Sequence, residues 1–141
     1  MAITQLSVFL DNKPGKLAEV LCLLKDKGIN MRALSLAETA DYGILRMIVS
    51  DLPAAESVLQ EKSAVTRTSV TAVRVDDRAG AMYDVVSVLG SAGINIEYVY
   101  AFTSPVSGNA YVVLRTDDAE RCEAALRENG IGTLSDEEME L

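Results

Sequence analysis

The sequence predicts an α+β chain of two tandem βαββαβ units, each an antiparallel sheet with both helices on one face. Two observations carry this. At an offset of 65 positions, with no gap, Val8/Val73, Asp11/Asp76, Gly15/Gly80, Val20/Val85, Leu24/Leu89, Gly28/Gly93, Ile29/Ile94, Asn30/Asn95 and Gly43/Gly108 are identical. One offset that holds across a strand, a helix and a second strand implies a supersecondary unit copied in tandem. The hydrophobic period also switches between two and 3.6 in the same order in each copy. The boundary falls between residues 1–69 and 70–141. Units this small bury only ~60% of the surface their unfolded chains expose. The halves are therefore expected to pack on each other and on a second chain, giving a homodimer.

Residues 3–10 alternate, with Leu6, Val8 and Leu10 on one side, and read as a half-buried strand. Asp11, Asn12, Pro14 and Gly15 make a turn and a helix start, where short polar side chains can cap the first N–H groups and Pro is tolerated. A helix over 14–27 follows, its apolar stripe formed by Leu17, Val20, Leu21 and Leu24, and Gly28 ends it with φ > 0. Strands over 30–38 and 44–50 flank a hairpin loop at 38–43. Pro53 opens a short helix carrying Leu52, Ala55, Val58 and Leu59 that ends near Lys62. The stretch 64–75, rich in Val and Thr without Pro or Gly, reads as the last strand of one unit running into the first strand of the next. The second unit repeats the order: helix 79–92 (Met82, Val85, Val86, Leu89), strands 95–103 and 109–115, helix 118–128 and a short strand 131–135. The acidic end, 136–141, is compatible with a helical turn or a frayed tail. This order is the ferredoxin-like arrangement, with crossovers that place both helices on one side. Ile44, Ile48, Tyr111 and Val113 fall on the opposite side, so that face is expected to meet another sheet.

Composition excludes several function classes. The formal net charge is -8, against a nucleic-acid partner, whose phosphates call for clustered Lys and Arg. No apolar run approaches the ~18 residues of a membrane span. Met1-Ala2 leads straight into the first strand, so the reading is a cytoplasmic protein without a signal peptide. There is no histidine, which removes the usual nucleophile activators and the commonest metal ligand. Neither a phosphate-binding glycine loop nor a dinucleotide fingerprint is present. Cys22 and Cys122 stand in predicted helices without metal spacing and read as core thiols in a reducing compartment. Tyr98, Tyr100 and Phe102 share one side of a strand and read as sheet packing rather than base stacking. The residues point to no catalysis, metal or cofactor.

The repeated block is what remains. A strand that ends in a glycine turn opening a helix presents unpaired N–H groups and the positive end of a helix dipole, which suit a carboxylate. Asn30 and Asn95 follow the two helices, and a side-chain amide offers both a C=O for an ammonium and an N–H for a carboxylate. A free amino acid carries both groups. The local alternative is a plain helix start and a plain helix stop, and a C-cap needs the Gly but not the Asn after it.

Asp11-Asn12-Lys13-Pro14-Gly15-Lys16-Leu17, then a helix, then Gly28-Ile29-Asn30 resembles the ACT domain, a small regulatory module that binds amino acids. Two such units fill nearly the whole chain, as in stand-alone tandem ACT proteins. The resemblance implies a free amino acid ligand at a junction of two units, held by Asn12, Gly15, Lys16, Leu17, Asn30 and Met31 in the first unit. In the second it implies Asp77, Gly80, Ala81, Met82, Asn95 and Ile96. There Ala79 replaces Pro14 and Asp77 replaces Asn12, and the added carboxylate would repel the ligand's carboxylate while holding its ammonium. The implied function is regulation of a metabolic enzyme or regulator. The alternative is a ligand-free interaction module or regulatory subunit of an amino-acid biosynthetic enzyme. An enzyme of the acylphosphatase kind would use Arg78 and Asn95, but the rest of that loop does not match.

Overall fold

The computed structural model describes residues 2–103 and 108–139. The chain divides into two compact units, Thr4–Thr68 and Ser69–Leu141 with Met1–Ile3. In chain order the elements are β1 (Ile3–Asp11), α1 (Lys16–Asp26), β2 (Met31–Glu38), β3 (Tyr42–Val49), α2 (Leu52–Leu59) and β4 (Ala64–Asp76). After them come α3 (Ala81–Ser91), β5 (Ile96–Thr103), β6 (Asn109–Thr116), α4 (Ala119–Glu128), β7 (Thr133–Leu134) and α5 (Asp136–Met139). The strand expected over 64–75 is a single 13-residue strand, β4, and the boundary between the units falls inside it. The acidic end forms the short helix α5, and residues 140 and 141 lie outside the described residues.

In the first unit the strand order is β2-β3-β1-β4. β3 runs antiparallel to β1, with Phe9 opposite Ile44, and to β2, with Leu36 opposite Leu45. Its core is Leu6, Val8, Leu45 and Met47 from the sheet against Val20, Leu24, Ala55 and Leu59 from the two helices. The spacing of Val20 and Leu24, one turn apart, puts both on the sheet side of α1, and each fully buried Leu contributes about 1.5–3 kcal/mol. Cys22 lies two residues from each of them and so faces outward. It is exposed, not the core thiol the crowded sequence suggested. In the second unit the order is β5-β6-β4, with β7 pairing β4. Val73, Val75, Val112 and Leu114 pack there against Val85, Leu89, Cys122 and Leu126. The stripe of α3 is Ala81, Val85 and Leu89; Val86, expected to be part of it, is 40% exposed.

The sheet faces away from the helices are also occupied. Ile48, Tyr111 and Val113 are buried and Ile44 is half-buried. On β1, Gln5 and Ser7 are buried, the Gln5 amide donating to Ser7 Oγ at 3.2 Å, which satisfies polar groups that would be costly if orphaned. On β5 the Tyr98 and Tyr100 rings stack at 6.4 Å, and Phe102 meets Tyr111 edge-on at 5.2 Å. These rings pack on protein, in the arrangement aromatic pairs prefer.

Candidate functional site

Both helix entrances are built the same way. Lys16 N–H donates to the Lys13 carbonyl at 3.3 Å, and Gly15 has φ 85 and ψ −12. That is the third position of a type II turn, which only Gly occupies without strain, preceded by the position Pro favours. Ala81 N–H donates likewise to Arg78 at 3.3 Å, with Gly80 at φ 87 and ψ −12. The second position accepts most residues, so Ala79 replaces Pro14 without changing the turn. Pro14 thus belongs to the turn before α1 rather than to its first helical turn.

The two kinds of helix in each unit end differently at their N-termini. Asp51 caps α2 by accepting from Ala54 N–H at 3.1 Å, and Asp118 caps α4 by accepting from Arg121 N–H at 3.1 Å. α1 and α3 have no side-chain cap. Neither Asp11 nor Asn12 serves α1 as the sequence suggested. Instead, Asn12 Nδ2 donates to the Thr39 carbonyl at 3.1 Å and its N–H to the Asp41 carbonyl at 3.2 Å, tying the loop to the hairpin. Asp77 N–H makes the corresponding bond to Gly108 at 2.8 Å. Lys16 pairs with Glu19 at 3.3 Å on the surface, a contact of small energy. Leu17 and Met82 are partly buried against the cores, and Ala81 is itself buried in one.

The asparagines stand elsewhere. Asn30 N–H donates to Ser50 Oγ at 3.0 Å and its carbonyl accepts from Ser50 N–H at 2.8 Å. Ser50 follows the last residue of β3, whereas Asn12 is tied to the hairpin before its first residue. The eight residues of β3, at ~3.4 Å each, separate them by roughly 25 Å. Asn95 repeats this: it bonds Asp117, at the end of β6, through its N–H at 3.2 Å and its carbonyl at 3.2 Å. Within one unit, then, the helix entrance and the asparagine sit at opposite ends of the sheet. Arg78 and Asn95 are divided in the same way, so one unit does not assemble the acylphosphatase-like pair. Both asparagine side chains are exposed, while Met31 and Ile96 pack against the cores.

Two features were missed by the sequence reading. The register shifts in both β2 and β5 just after the asparagine, between Met31 and Ala33 and between Ile96 and Tyr98. Bulges of this kind re-aim a side chain. The residue at the shift is Arg32 in one unit and Glu97 in the other. Glu97 pairs with Arg115 at 3.4 Å, while Arg32 Nε is buried and has no partner among the described residues. The second feature is a groove of about 440 Å³ beside the first entrance, lined by Phe9, Asp11, Lys16, Tyr42 and Lys62 among others. A smaller groove, about 320 Å³, lies at the equivalent place in the second unit, beside Asp76, Ala81 and Asp84. Among the described residues no cluster of three or more His, Cys, Asp or Glu is placed to hold a metal ion.

Two ferredoxin-like units in tandem, each with an uncapped glycine entrance to its first helix, define a tandem α+β protein built of small modules. The comparisons make the class specific: the family described as the ACT domain pair matches residues 1–141, and the chain belongs to that family. A crystal structure of a protein from Bacteroides thetaiotaomicron is 38% identical with a TM-score of 0.92, over 99% of this chain and 96% of that one. The ligand-free regulatory subunit of aspartate kinase from Thermus thermophilus shares the fold at 22% identity and TM-score 0.61, over 90% of each chain. The corresponding subunit from Thermus flavus matches at 20% identity and TM-score 0.59, over 89% of this chain and 90% of that one. No curated protein sequence matches the chain. No helix among the described residues is long and apolar enough to cross a membrane.

Proposed function

We propose that this protein is a non-catalytic regulatory protein of the cytoplasm that binds a free amino acid at a junction of two units and signals its level to a metabolic enzyme or regulator. The observation that carries the reading is the contrast in capping. Aspartate caps α2 and α4, while α1 and α3 open with glycine and no side-chain cap, in duplicate. Uncapped N–H groups at a helix start favour a carboxylate. Since entrance and asparagine lie at opposite ends of a unit, a site that uses both takes the entrance from one unit and the asparagine from another. Asn12 and Asp77 hold their loops in place, Gly15, Lys16 and Leu17 or Gly80, Ala81 and Met82 supply the entrance, and Asn30-Met31 or Asn95-Ile96 close it. Binding changes function only through unequal affinity for two arrangements of the assembly.

Calorimetry with each proteinogenic amino acid tests this. One saturating binder is expected, weakened about tenfold by Asn30→Ala, the loss of one hydrogen bond to a charged group. Silence across the whole set would sink the reading.

A homodimer through β2 is part of the same proposal. β2 ends the strand order of its unit, and Leu34 and Leu36 on it are 44% and 48% exposed. The same edge also suits the second reading, a ligand-free interaction module. Sedimentation of Leu34→Asp should show loss of self-association if the edge joins two copies. Unchanged mass would exclude that dimer.

A further inference from the structure

The sheet ends that carry Asn30 and Asn95 are built alike and charged differently. In each, one extra residue follows the asparagine by two positions. Arg32 stands between Met31, opposite Val49, and Ala33, opposite Ile48. Glu97 stands between Ile96, opposite Thr116, and Tyr98, opposite Arg115. In the second unit the extra residue is satisfied across the strands. Glu97 meets Arg115 at 3.4 Å, and Arg115 also donates to the Ser69 carbonyl at 2.8 Å. In the first unit Ile48 holds the place of Arg115, and it is buried and offers no acceptor. Arg32 is half-buried, its Nε fully so, and among the described residues no hydrogen bond or ion pair engages the guanidinium. A buried N–H without an acceptor is costly, and an anion that reaches it removes that cost.

Two further differences run the same way. The Asn30 N–H is held by the neutral Ser50 hydroxyl at 3.0 Å, and the Asn95 N–H by the Asp117 carboxylate at 3.2 Å. Lys27 closes α1, where Ala92 closes α3. Asp51, next to Ser50, is already engaged at the N-terminus of α2. The Asn30 end therefore keeps an unsatisfied cation, whereas the Asn95 end carries carboxylates. Met31, between Asn30 and Arg32, packs against the core, so the two polar side chains leave the strand on its other side.

We propose that Arg32, beside Asn30, receives an anionic side chain, so that the protein answers to an acidic amino acid. The guanidinium takes the side-chain carboxylate, and the helix entrance of another unit takes the α-carboxylate. The Asn95 end, with Glu97 and Asp117, has no such role. This rests on the amino-acid reading above and adds to it the ligand's class and one residue, Arg32.

The test is calorimetry on the full chain, comparing aspartate with asparagine and glutamate with glutamine, pairs alike in shape and different in charge. One acid should bind, at least about tenfold tighter than its amide. Arg32→Gln should weaken that acid by a similar factor and erase the preference over the amide. Arg32→Lys, which keeps the charge without the fork, should retain part of it. Glu97→Gln in the second unit should leave both affinities unchanged. If the acids are silent and another proteinogenic amino acid binds, the acidic assignment is overturned while the amino-acid reading stands. If an acid binds no tighter than its amide, or equally well to the Arg32→Gln variant, Arg32 is not its partner. If nothing in the proteinogenic set binds, both readings fall.

Discussion

Gly15 and Gly80, 65 positions apart, hold one backbone conformation, φ 85 and 87 with ψ −12 in each. A Cβ would meet nothing within 4 Å at Gly15, and only the Arg78 guanidinium, at 4.0 Å, at Gly80. The cost of Ala at either position is therefore backbone strain and not a clash, about 1–2 kcal/mol. Urea denaturation of Gly15→Ala and Gly80→Ala should show two similar losses. A loss confined to one would mean that the turns are not equivalent in solution.

The same turn offers a stabilising change. Pro14 occupies its second position in the first unit and Ala79 in the second. Ala79→Pro should raise stability by about 0.4–1 kcal/mol by restricting the unfolded chain at a position already suited to Pro. A lower urea midpoint would show that the backbone before Gly80 departs from the first unit's turn.

The aspartate caps make the opposite case. Asp51→Ala and Asp118→Ala each remove an acceptor from a helix N-terminus and should each cost about 1 kcal/mol. Their sites lie in different units and share no partner, so the double variant should lose close to the sum. A clearly smaller combined loss in urea melts would contradict that independence.

Thiol labelling separates the two cysteines. Cys22 is exposed, whereas Cys122 is buried and its burial pushes the thiol's pKa up, partly offset by a hydrogen bond with Thr71. Only the thiolate reacts. A maleimide should modify one thiol in the native protein and both after denaturation, with mass mapping to Cys22 first.

A pH-dependent contribution comes from Glu56 and Arg67, joined by two hydrogen bonds of 2.8 Å. The Arg67 hydrogen bond lowers the Glu56 carboxyl below its ordinary value. A depressed acid stabilises the fold above its unfolded pKa, and that contribution is lost as pH falls through the folded one. Glu56→Gln should therefore be less stable than the parent at neutral pH, and the gap should close below the carboxylate range. The pair is solvent-facing and the gap small. A gap that widened in acid would reverse the assignment.

The architecture was readable because its signals are local and occur twice. Leu6, Val8 and Leu10 alternate on a strand, Val20 and Leu24 repeat at helical spacing, and the same order returns 65 residues later. Cys22 was misplaced because the leucines around it leave no polar contrast to mark the outer face of α1. The resemblance groups Asn30 with the helix entrance in one ligand set, and the two are close along the motif. A strand–helix–strand crossover, however, carries the chain back the full length of the sheet, and only the pairing of Asn30 with Ser50 reveals which end it reaches. The groove was invisible for a different reason. Asp11 and Tyr42 come from two strands and Lys62 from the turn before β4, with no periodic relation to one another.

The 13 residues of β4 carry one further consequence. The junction of the two copies lies inside a hydrogen-bonded strand rather than in a loop. Cleavage at Thr68-Ser69 would cut through β4 itself rather than through a loop between elements.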